Sequence, residues 1–385
     1  MRLNKIVAVH FSILLSAANI LGSSGLMVWV DHAIRYETEG LSAYRPLISY
    51  LMGLSLGCCF VGVISAVNKK VASRSFFLRC MLFAFCICFV LAMGEHVFHE
   101  WFGLLLRFLW GGVSGCTVIL GRAMLVSSEK SNHAHKDLSV LSLALATLPL
   151  IMPALFAVLV LNQRSASAIC ASFIYAVTVI MFLLSDTRVG AEDSILLDDA
   201  LDSRSGVVGC VSLIVINVCF FLALMIVPMV MARSYTDFPI VFFYLIVLCL
   251  WFFLGWLVLR CCQSISVKFR VNLGYFFQLI ALGCGLWVML FGSNFIFVFI
   301  MVVMFLSNIL IRPILFLMLG RNPRIKLLLF GIQSGLYILV VSVVLLVAVV
   351  FVLSVETVVS LFCCFVALSL SCFYLFSKDF HKMDS

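Results

Sequence analysis

Charged side chains are scarce in this 385-residue chain: Asp, Glu, Lys and Arg together make up 11%, whereas hydrophobic residues make up 64%. A soluble globular domain has about a quarter charged residues and about half apolar residues, so the composition excludes that class. The apolar runs are continuous and do not alternate with polar residues, which argues against a transmembrane β-barrel. We therefore expect an all-α polytopic membrane protein, because only helices and closed barrels satisfy the backbone in lipid.

Carboxylates are missing from the interior of every apolar run. Asp31, Asp237 and Glu356 all lie at the outer ends of such runs. The chain also lacks a GxxxxGK[ST] phosphate loop, and no serine or cysteine nucleophile lies at a recognisable spacing from His, Asp or Glu. We therefore do not expect an enzyme or a cofactor. A membrane-embedded enzyme is the alternative hypothesis outside membrane transport.

The 16 cysteines do not follow a metal-binding pattern. Most of them lie inside apolar runs, where a free thiol packs as a small hydrophobic group. Cys261 and Cys262 have no second pair at the spacing of zinc ligands, and His96 and His99 have no further ligands nearby in sequence. We therefore expect no metal site.

Twelve apolar segments are each long enough to cross a bilayer as a helix. They lie at approximately residues 6–30, 44–66, 75–93, 101–122, 138–161, 166–185, 206–231, 238–260, 271–291, 294–319, 327–353 and 356–377. The longest polar stretch follows the sixth segment. We predict an N-terminal six-helix bundle at residues 1–185, an acidic cytoplasmic linker at 186–205 and a C-terminal six-helix bundle at 206–385.

Lysine and arginine are distributed unevenly between alternate loops, as the positive-inside rule requires. One set of loops, which includes both termini, holds 19 of them, whereas the other set holds only Arg35, Arg45, Arg164 and Arg233. The asymmetry predicts an even number of helices with both termini in the cytoplasm. The absence of long loops suits a bacterial inner membrane.

Two neighbouring segments between residues 101 and 160 combine groups that are costly in a membrane helix. Arg107 lies within the fourth segment, and Pro149 and Pro153 lie within the fifth. Arginine is expensive in hydrocarbon and proline removes a backbone hydrogen bond, so together they indicate a cavity or pathway. Alternatively, Arg107 extends to the outer interface, as we expect Arg312 to extend to the cytoplasmic headgroups.

Neutral polar and aromatic side chains lie near the middle of several segments. The candidates for a substrate cavity are Asn19, Tyr50, Trp110, Asn217, Asn308 and Gln333. Such groups also join helices by hydrogen bonds, which is the structural alternative. A cavity rich in aromatic residues and without buried acids favours neutral or anionic amphipathic molecules over multiply charged cations.

Three motifs resemble those of a known family. They read Gly62-Val-Ile-Ser-Ala-Val-Asn-Lys-Lys, then Arg107-Phe-Leu-Trp-Gly-Gly-Val-Ser-Gly followed by Gly121-Arg122-Ala123, and Leu148-Pro-Leu-Ile-Met-Pro-Ala-Leu-Phe-Ala. In order and spacing they resemble the major facilitator superfamily and, within it, the bicyclomycin-resistance group of drug:proton antiporters. The resemblance is clearest over residues 57–160. It departs from the group at Ala66, where the group has an acidic residue, and at Phe156-Ala157, where it has two glycines.

The resemblance implies roles for several residues. It implies that Arg107 takes part in proton coupling, and Asp31 is the best acidic candidate for the same task. It also implies that Pro149 and Pro153 shape a helix interface, to which we add the small residues Gly111 and Gly115.

The resulting hypothesis is a secondary active transporter that exports small amphipathic compounds by alternating access, in the manner of multidrug efflux proteins. Its expected partners are a small-molecule substrate, the lipid bilayer and protons, with no nucleic acid, and we expect a monomer. The alternative within transport is a metabolite or nutrient transporter that diverged from the drug-efflux group. A scaffold that no longer transports is a further alternative.

Overall fold

The computed structural model describes most, but not all, of the chain. The described residues are 14–19, 22, 44–67, 73–94, 99–127, 166–184, 204–234, 249–250, 253–254, 257, 266–291, 296–318, 323–350 and 355–381. Within them, the structure has nine long helices: α1 (Arg45–Val67), α2 (Arg74–Gly94), α3 (Glu100–Ser127), α4 (Ala166–Leu184), α5 (Arg204–Ser234), α6 (Val267–Phe291), α7 (Ile296–Met318), α8 (Pro323–Val350) and α9 (Val355–His381). Residues 14–19 are also helical.

These helices follow from long apolar sequences with polar groups at their starts. The Ser73 hydroxyl accepts a hydrogen bond from the Phe76 N–H at 3.2 Å and caps α2, and Ser266 caps α6 through the Phe269 N–H at 3.3 Å. Both serines satisfy a backbone donor that the first helical turn leaves open. Helix α8 begins at Pro323, and proline is common at the first position of a helix because no N–H is needed there.

The predicted all-α membrane fold is confirmed. Among the described residues, eight helices are long and apolar enough to cross a membrane. The segment predicted at 75–93 is α2, and the segment predicted at 356–377 is α9 with short extensions at both ends. The segments predicted at 6–30, 138–161 and 238–260 lie wholly or mostly outside the described residues, so the number twelve stays a prediction.

Helices α1 to α4 form one connected group of contacts, and helices α5 to α9 form a second. In the first group α1 packs on α3, and α2 packs on α3 and α4. In the second group α5 contacts α7, α8 and α9, while α6 contacts α7 and α9. Helix α8 also packs against α1 and α3, so it joins the two groups.

Helix α1 makes both of its main contacts through glycines. On one side, a Cβ atom added to Gly115 of α3 would lie 2.5 Å from the carbonyl oxygen of Leu54. On the other side, a Cβ atom added to Gly62 would lie 2.7 Å from the Cα of Gly331 in α8. Small residues let membrane helices approach until their backbones touch. The glycines therefore hold α1 close to both α3 and α8.

Candidate functional site

One face of α3 carries three buried residues that are polar or partly polar. Arg107, Trp110 and Ser114 follow at helical spacing, and their exposed fractions are 1%, 0% and 0%. An arginine that reached the membrane interface would be uncovered at its tip, whereas protein covers almost all of Arg107. The burial argues against the alternative in which Arg107 extends to the outer interface.

Tyrosines from neighbouring helices complete this group, which we call the first polar cluster: Asn19, Tyr50, Arg107, Trp110, Ser114 and Tyr175. The Tyr50 hydroxyl donates to Asn19, with both Oδ1 and the backbone oxygen at 2.8 Å. The Tyr50 and Trp110 rings meet edge to face with centroids 5.0 Å apart. The hydroxyls of Ser114 and Tyr175 form a hydrogen bond at 2.8 Å. The sequence candidates Asn19, Tyr50 and Trp110 thus lie together, where the helical residues 14–19 meet the first helix group.

A second polar cluster consists of Asn217 of α5 with Gln333 and Ser334 of α8. The Asn217 Nδ2 donates to the Gln333 Oε1 at 3.3 Å, and the Gln333 Nε2 donates to the Ser334 Oγ at 2.8 Å. All three residues are at most 1% exposed. The Asn217 Oδ1 has no hydrogen-bond partner among the described residues. An amide acceptor buried in this way is costly until a polar group reaches it.

Aromatic rings pack directly beside the second polar cluster. Phe221 and Tyr337 lie one helical turn beyond Asn217 and Gln333, and their rings stack with centroids 5.2 Å apart. Phe220 meets Phe305 of α7 edge to face at 4.7 Å. A layer of amides therefore adjoins a layer of aromatic rings between α5 and α8, and this combination suits an amphipathic ligand.

Asn308 of α7 lies at about the same height in the helix bundle as Asn217 of the second polar cluster. Helices α5 and α8 run in the same direction, because Asn217 pairs with Gln333 and Phe221 with Tyr337. Helices α7 and α8 are consecutive apolar segments, which cross a membrane in opposite directions, so α7 runs opposite to both α8 and α5. Asn217 lies three residues before Phe220, and Asn308 lies three residues after Phe305. Because α5 and α7 run in opposite directions, both asparagines lie on the same side of the Phe220–Phe305 contact. Asn308 is 1% exposed, and its Nδ2 has no partner within the described part of the chain.

The second polar cluster adjoins the contact between the two helix groups. The Ser55 hydroxyl of α1 donates to the Gly335 carbonyl oxygen at 2.8 Å, and Gly335 follows two residues after Gln333. This is the location expected for a site that both halves of a transporter share. We take the second polar cluster, with Phe221 and Tyr337, as the candidate site.

Sequence reasoning found only part of this arrangement. Ser334, Phe221 and Tyr337 were not among the substrate-cavity candidates, although the residues four positions after Asn217 and Gln333 share their helix faces. The expectation that Arg312 reaches the headgroups is wrong, because its side chain is 4% exposed. Arg312 lies seven residues from Phe305, on the face of α7 that packs against α5.

The structure describes some of the remaining predicted site residues and not others. Gly111 and Gly115 both lie at the contact of α3 with α1. Asp31, Pro149 and Pro153 lie outside the described residues. Over the described ranges, the structure contains no group of three or more His, Cys, Asp or Glu that could hold a metal ion. The only carboxylate in the eight described spans is Glu100, which is the first residue of α3 and pairs with Arg45 at 3.0 Å.

Comparison with known proteins shows similarity in structure and not in sequence. No protein-family model matches the chain, and no curated protein matches it. The human organic anion transporter MFSD10 (TETRAN) aligns with a TM-score of 0.63 and 15% identity, over 96% of this chain and 99% of that chain.

Two structures of a POT family transporter also align over 97% of this chain and 96% of theirs. The complex with a thioalcohol-conjugated peptide has a TM-score of 0.66 and 9% identity, and the complex with 5-aminolevulinic acid has 0.63 and 10%. These alignments do not test the bicyclomycin-resistance group, which stays a prediction. The chain has a major facilitator-type fold, as its sequence motifs predicted.

Proposed function

We propose that this protein is a secondary active transporter that moves a small amphipathic molecule across a membrane by alternating access. The observation that carries the proposal is the second polar cluster, a buried set of amides beside aromatic rings at the junction of two helix groups. Buried polar groups in membrane spans are costly, so they are expected at functional sites. The major facilitator-type fold supports the same conclusion, since all three solved structures compared above are transporters.

The chemistry of the site favours a neutral or anionic substrate. Amide groups supply both a donor and an acceptor, and the stacked rings of Phe221 and Tyr337 offer an apolar surface. No carboxylate lies within the interior of the described spans to attract a cation. The solved transporters are named with an organic anion class, a thioalcohol-conjugated peptide and 5-aminolevulinic acid, which are small organic molecules.

In this proposal, residues 1–185 and 206–385 form the two moving halves, and residues 186–205 link them. We propose a monomer in a bacterial inner membrane with both termini in the cytoplasm. Export in the manner of multidrug efflux proteins is the proposed direction, and uptake of a metabolite or nutrient is the alternative. Arg107 is the proposed coupling residue for protons, together with Asp31.

The test is transport by purified protein in proteoliposomes against a panel of neutral, anionic and cationic amphipathic compounds. Each compound is assayed with and without an imposed proton gradient. We expect concentration-dependent transport of neutral or anionic members, which Asn217→Leu weakens and Arg45→Gln leaves unchanged. Transport restricted to multiply charged cations, or no transport of any compound by protein that is shown to be folded, would contradict the proposal.

A further inference from the structure

Four buried polar side chains occur at neighbouring heights of α6 and α7, and we call them the α7 seam: Gln278 of α6 with Ser307, Asn308 and Arg312 of α7. All four are at most 4% exposed. A Cβ atom on Gly274 of α6 would meet the side chain of Ile311 in α7. Because consecutive membrane helices run in opposite directions, Gln278, one turn after Gly274, lies at the height of Ser307, one turn before Ile311.

The hydrogen-bonding capacity of the α7 seam is only partly used. Neither the Nε2 nor the Oε1 of Gln278 has a hydrogen-bond partner among the described residues, and the same holds for the Ser307 Oγ and the Asn308 Nδ2. These atoms include a donor from each of the three residues. A buried polar group without a partner is costly until a ligand or water reaches it. The three side chains can therefore donate hydrogen bonds to a group that enters the seam.

Arg312 determines the charge of the α7 seam. It shares a face of α7 with Asn308, four residues earlier, and its guanidinium is the only ionised group of the four. The sequence has no Asp or Glu between Asp237 and Glu356, so α6, α7 and α8 contribute no negative charge of their own. A positive charge in a low-dielectric interior attracts anions and repels cations. The seam therefore favours an anion.

An apolar surface adjoins the α7 seam. Asn308 lies at about the height of Asn217 and three residues from Phe305, whose ring meets that of Phe220 edge to face. A free inorganic anion gains nothing from these rings, whereas a carboxylate attached to an apolar body gains from the rings and from the polar groups. Guanidinium groups bind carboxylates through paired, charge-assisted hydrogen bonds. The surroundings therefore suit an organic acid better than an inorganic ion.

We propose that the α7 seam binds the carboxylate of an amphipathic organic acid, with Arg312, Asn308, Gln278 and Ser307 as hydrogen-bond donors. This inference rests on the proposed transport function and makes it more specific, because it selects anionic substrates over neutral ones. Arg312 thereby has a different task from Arg107, to which we assign proton coupling.

The experiment measures equilibrium binding, and not transport, with the full-length protein purified in detergent. The probes are pairs of an arylalkyl carboxylic acid and its uncharged primary amide, with methylene chains of several lengths. The two members of a pair have the same shape, so the ratio of their dissociation constants isolates recognition of the charge. At neutral pH we expect the tightest acid to bind about tenfold more tightly than its amide. Equimolar chloride should not displace it.

Variants of the α7 seam assign this preference to its residues. Arg312→Gln should abolish the preference for the acid and leave the affinity for the amide unchanged, whereas Arg312→Lys, which keeps the charge, should retain part of it. Gln278→Leu should weaken binding of the acid more than binding of the amide. Arg45→Gln is the matched control, because it also removes an arginine charge, from an exposed ion pair in the first helix group. It should bind the acid as the wild type does.

Equal affinity for acid and amide in every pair would overturn the proposal. A preference for the acid that persists in both Arg312→Gln and Gln278→Leu would overturn it as well. Displacement of the acid by equimolar chloride would contradict it in favour of a site for a free inorganic anion. The transport function fails by a different result, namely that proteoliposomes move none of the compounds that the purified protein binds.

Discussion

Gly62 of α1 and Gly331 of α8 bring the backbones of the two helix groups into contact: a Cβ atom on Gly62 would lie 2.7 Å from the Cα of Gly331. One turn further along α8, the Gly335 carbonyl oxygen accepts a hydrogen bond from the Ser55 hydroxyl of α1 at 2.8 Å. Both contacts lie beside the second polar cluster. If the protein alternates between two states, this junction must close in one state and open in the other, and several expected outcomes follow from its geometry.

The first concerns Gly62→Ala. The added methyl group meets backbone atoms that cannot rotate away, so we expect the structure to lose about 1–3 kcal/mol of stability, the usual cost of overpacking. Thermal unfolding in detergent measures this loss. Gly103→Ala is the matched control, because open space surrounds that position, and its melting temperature should not fall. Equal melting temperatures for the two variants would show that α1 and α8 are not in close contact.

The second concerns Asn217→Leu at the candidate site. The substitution removes the hydrogen bond to Gln333. It also removes the Asn217 Oδ1, which we propose accepts a hydrogen bond from the substrate. One such bond contributes about 1.5 kcal/mol, so KM should rise about tenfold. Transport kinetics in proteoliposomes provide the measurement. Ser371→Ala, at an exposed hydroxyl that donates to the Ala367 carbonyl oxygen of its own helix, should leave KM unchanged. A wild-type KM for Asn217→Leu would remove this residue from the site.

The third concerns the hydroxyl pair of Ser114 and Tyr175. Both groups are fully buried and lie 2.8 Å apart, so Ser114→Ala and Tyr175→Phe should each cost about 1 kcal/mol or more of unfolding free energy. The double variant should cost less than the two losses combined, because both substitutions break the same bond. A double-mutant cycle, built from the unfolding free energies of the wild type and the three variants, measures this coupling. Strict additivity would mean that the two hydroxyls do not interact.

The fourth concerns the Arg45–Glu100 ion pair between the starts of α1 and α3. The two side chains are 58% and 49% exposed, and exposed pairs contribute at most about 1 kcal/mol. We therefore expect Arg45→Gln to change the melting temperature by no more than a few degrees and to leave transport intact. A loss of activity in this variant would assign Arg45 a role that its exposure does not indicate.

The sequence predicted the helices better than it predicted the site. Hydropathy determines which segments remain in lipid, so the predicted limits of α2 agree with the structure to within one residue at each end. The position of a polar residue within its apolar segment also indicates its approximate depth in the membrane. Asn217 and Gln333 lie near the middle of their segments and are therefore candidates for the substrate cavity. Depth alone does not say which helix a side chain meets.

Two outcomes illustrate this limit. Asn19, Tyr50 and Trp110 have similar depths to Asn217, yet they join the first polar cluster and not the second. Arg312 has the sequence position of a headgroup contact, but it is buried and lies on the same face of α7 as Phe305. Both results depend on how the helices rotate about their own axes, and this rotation is set by tertiary packing such as the glycine contacts of α1.

The central claim is that α1 and α8 separate and rejoin during each transport cycle. Cys59 of α1 already lies in contact with the position of a Gly335 side chain, so Gly335→Cys in a chain with its other cysteines replaced provides a disulfide pair. The reduced form of this variant carries the same added side chain and gives the reference rate. The measurement is transport in proteoliposomes before oxidation, after oxidation and after reduction. We expect oxidation to abolish transport and reduction to restore it, whereas an undiminished rate in fully cross-linked protein would contradict the alternating-access account.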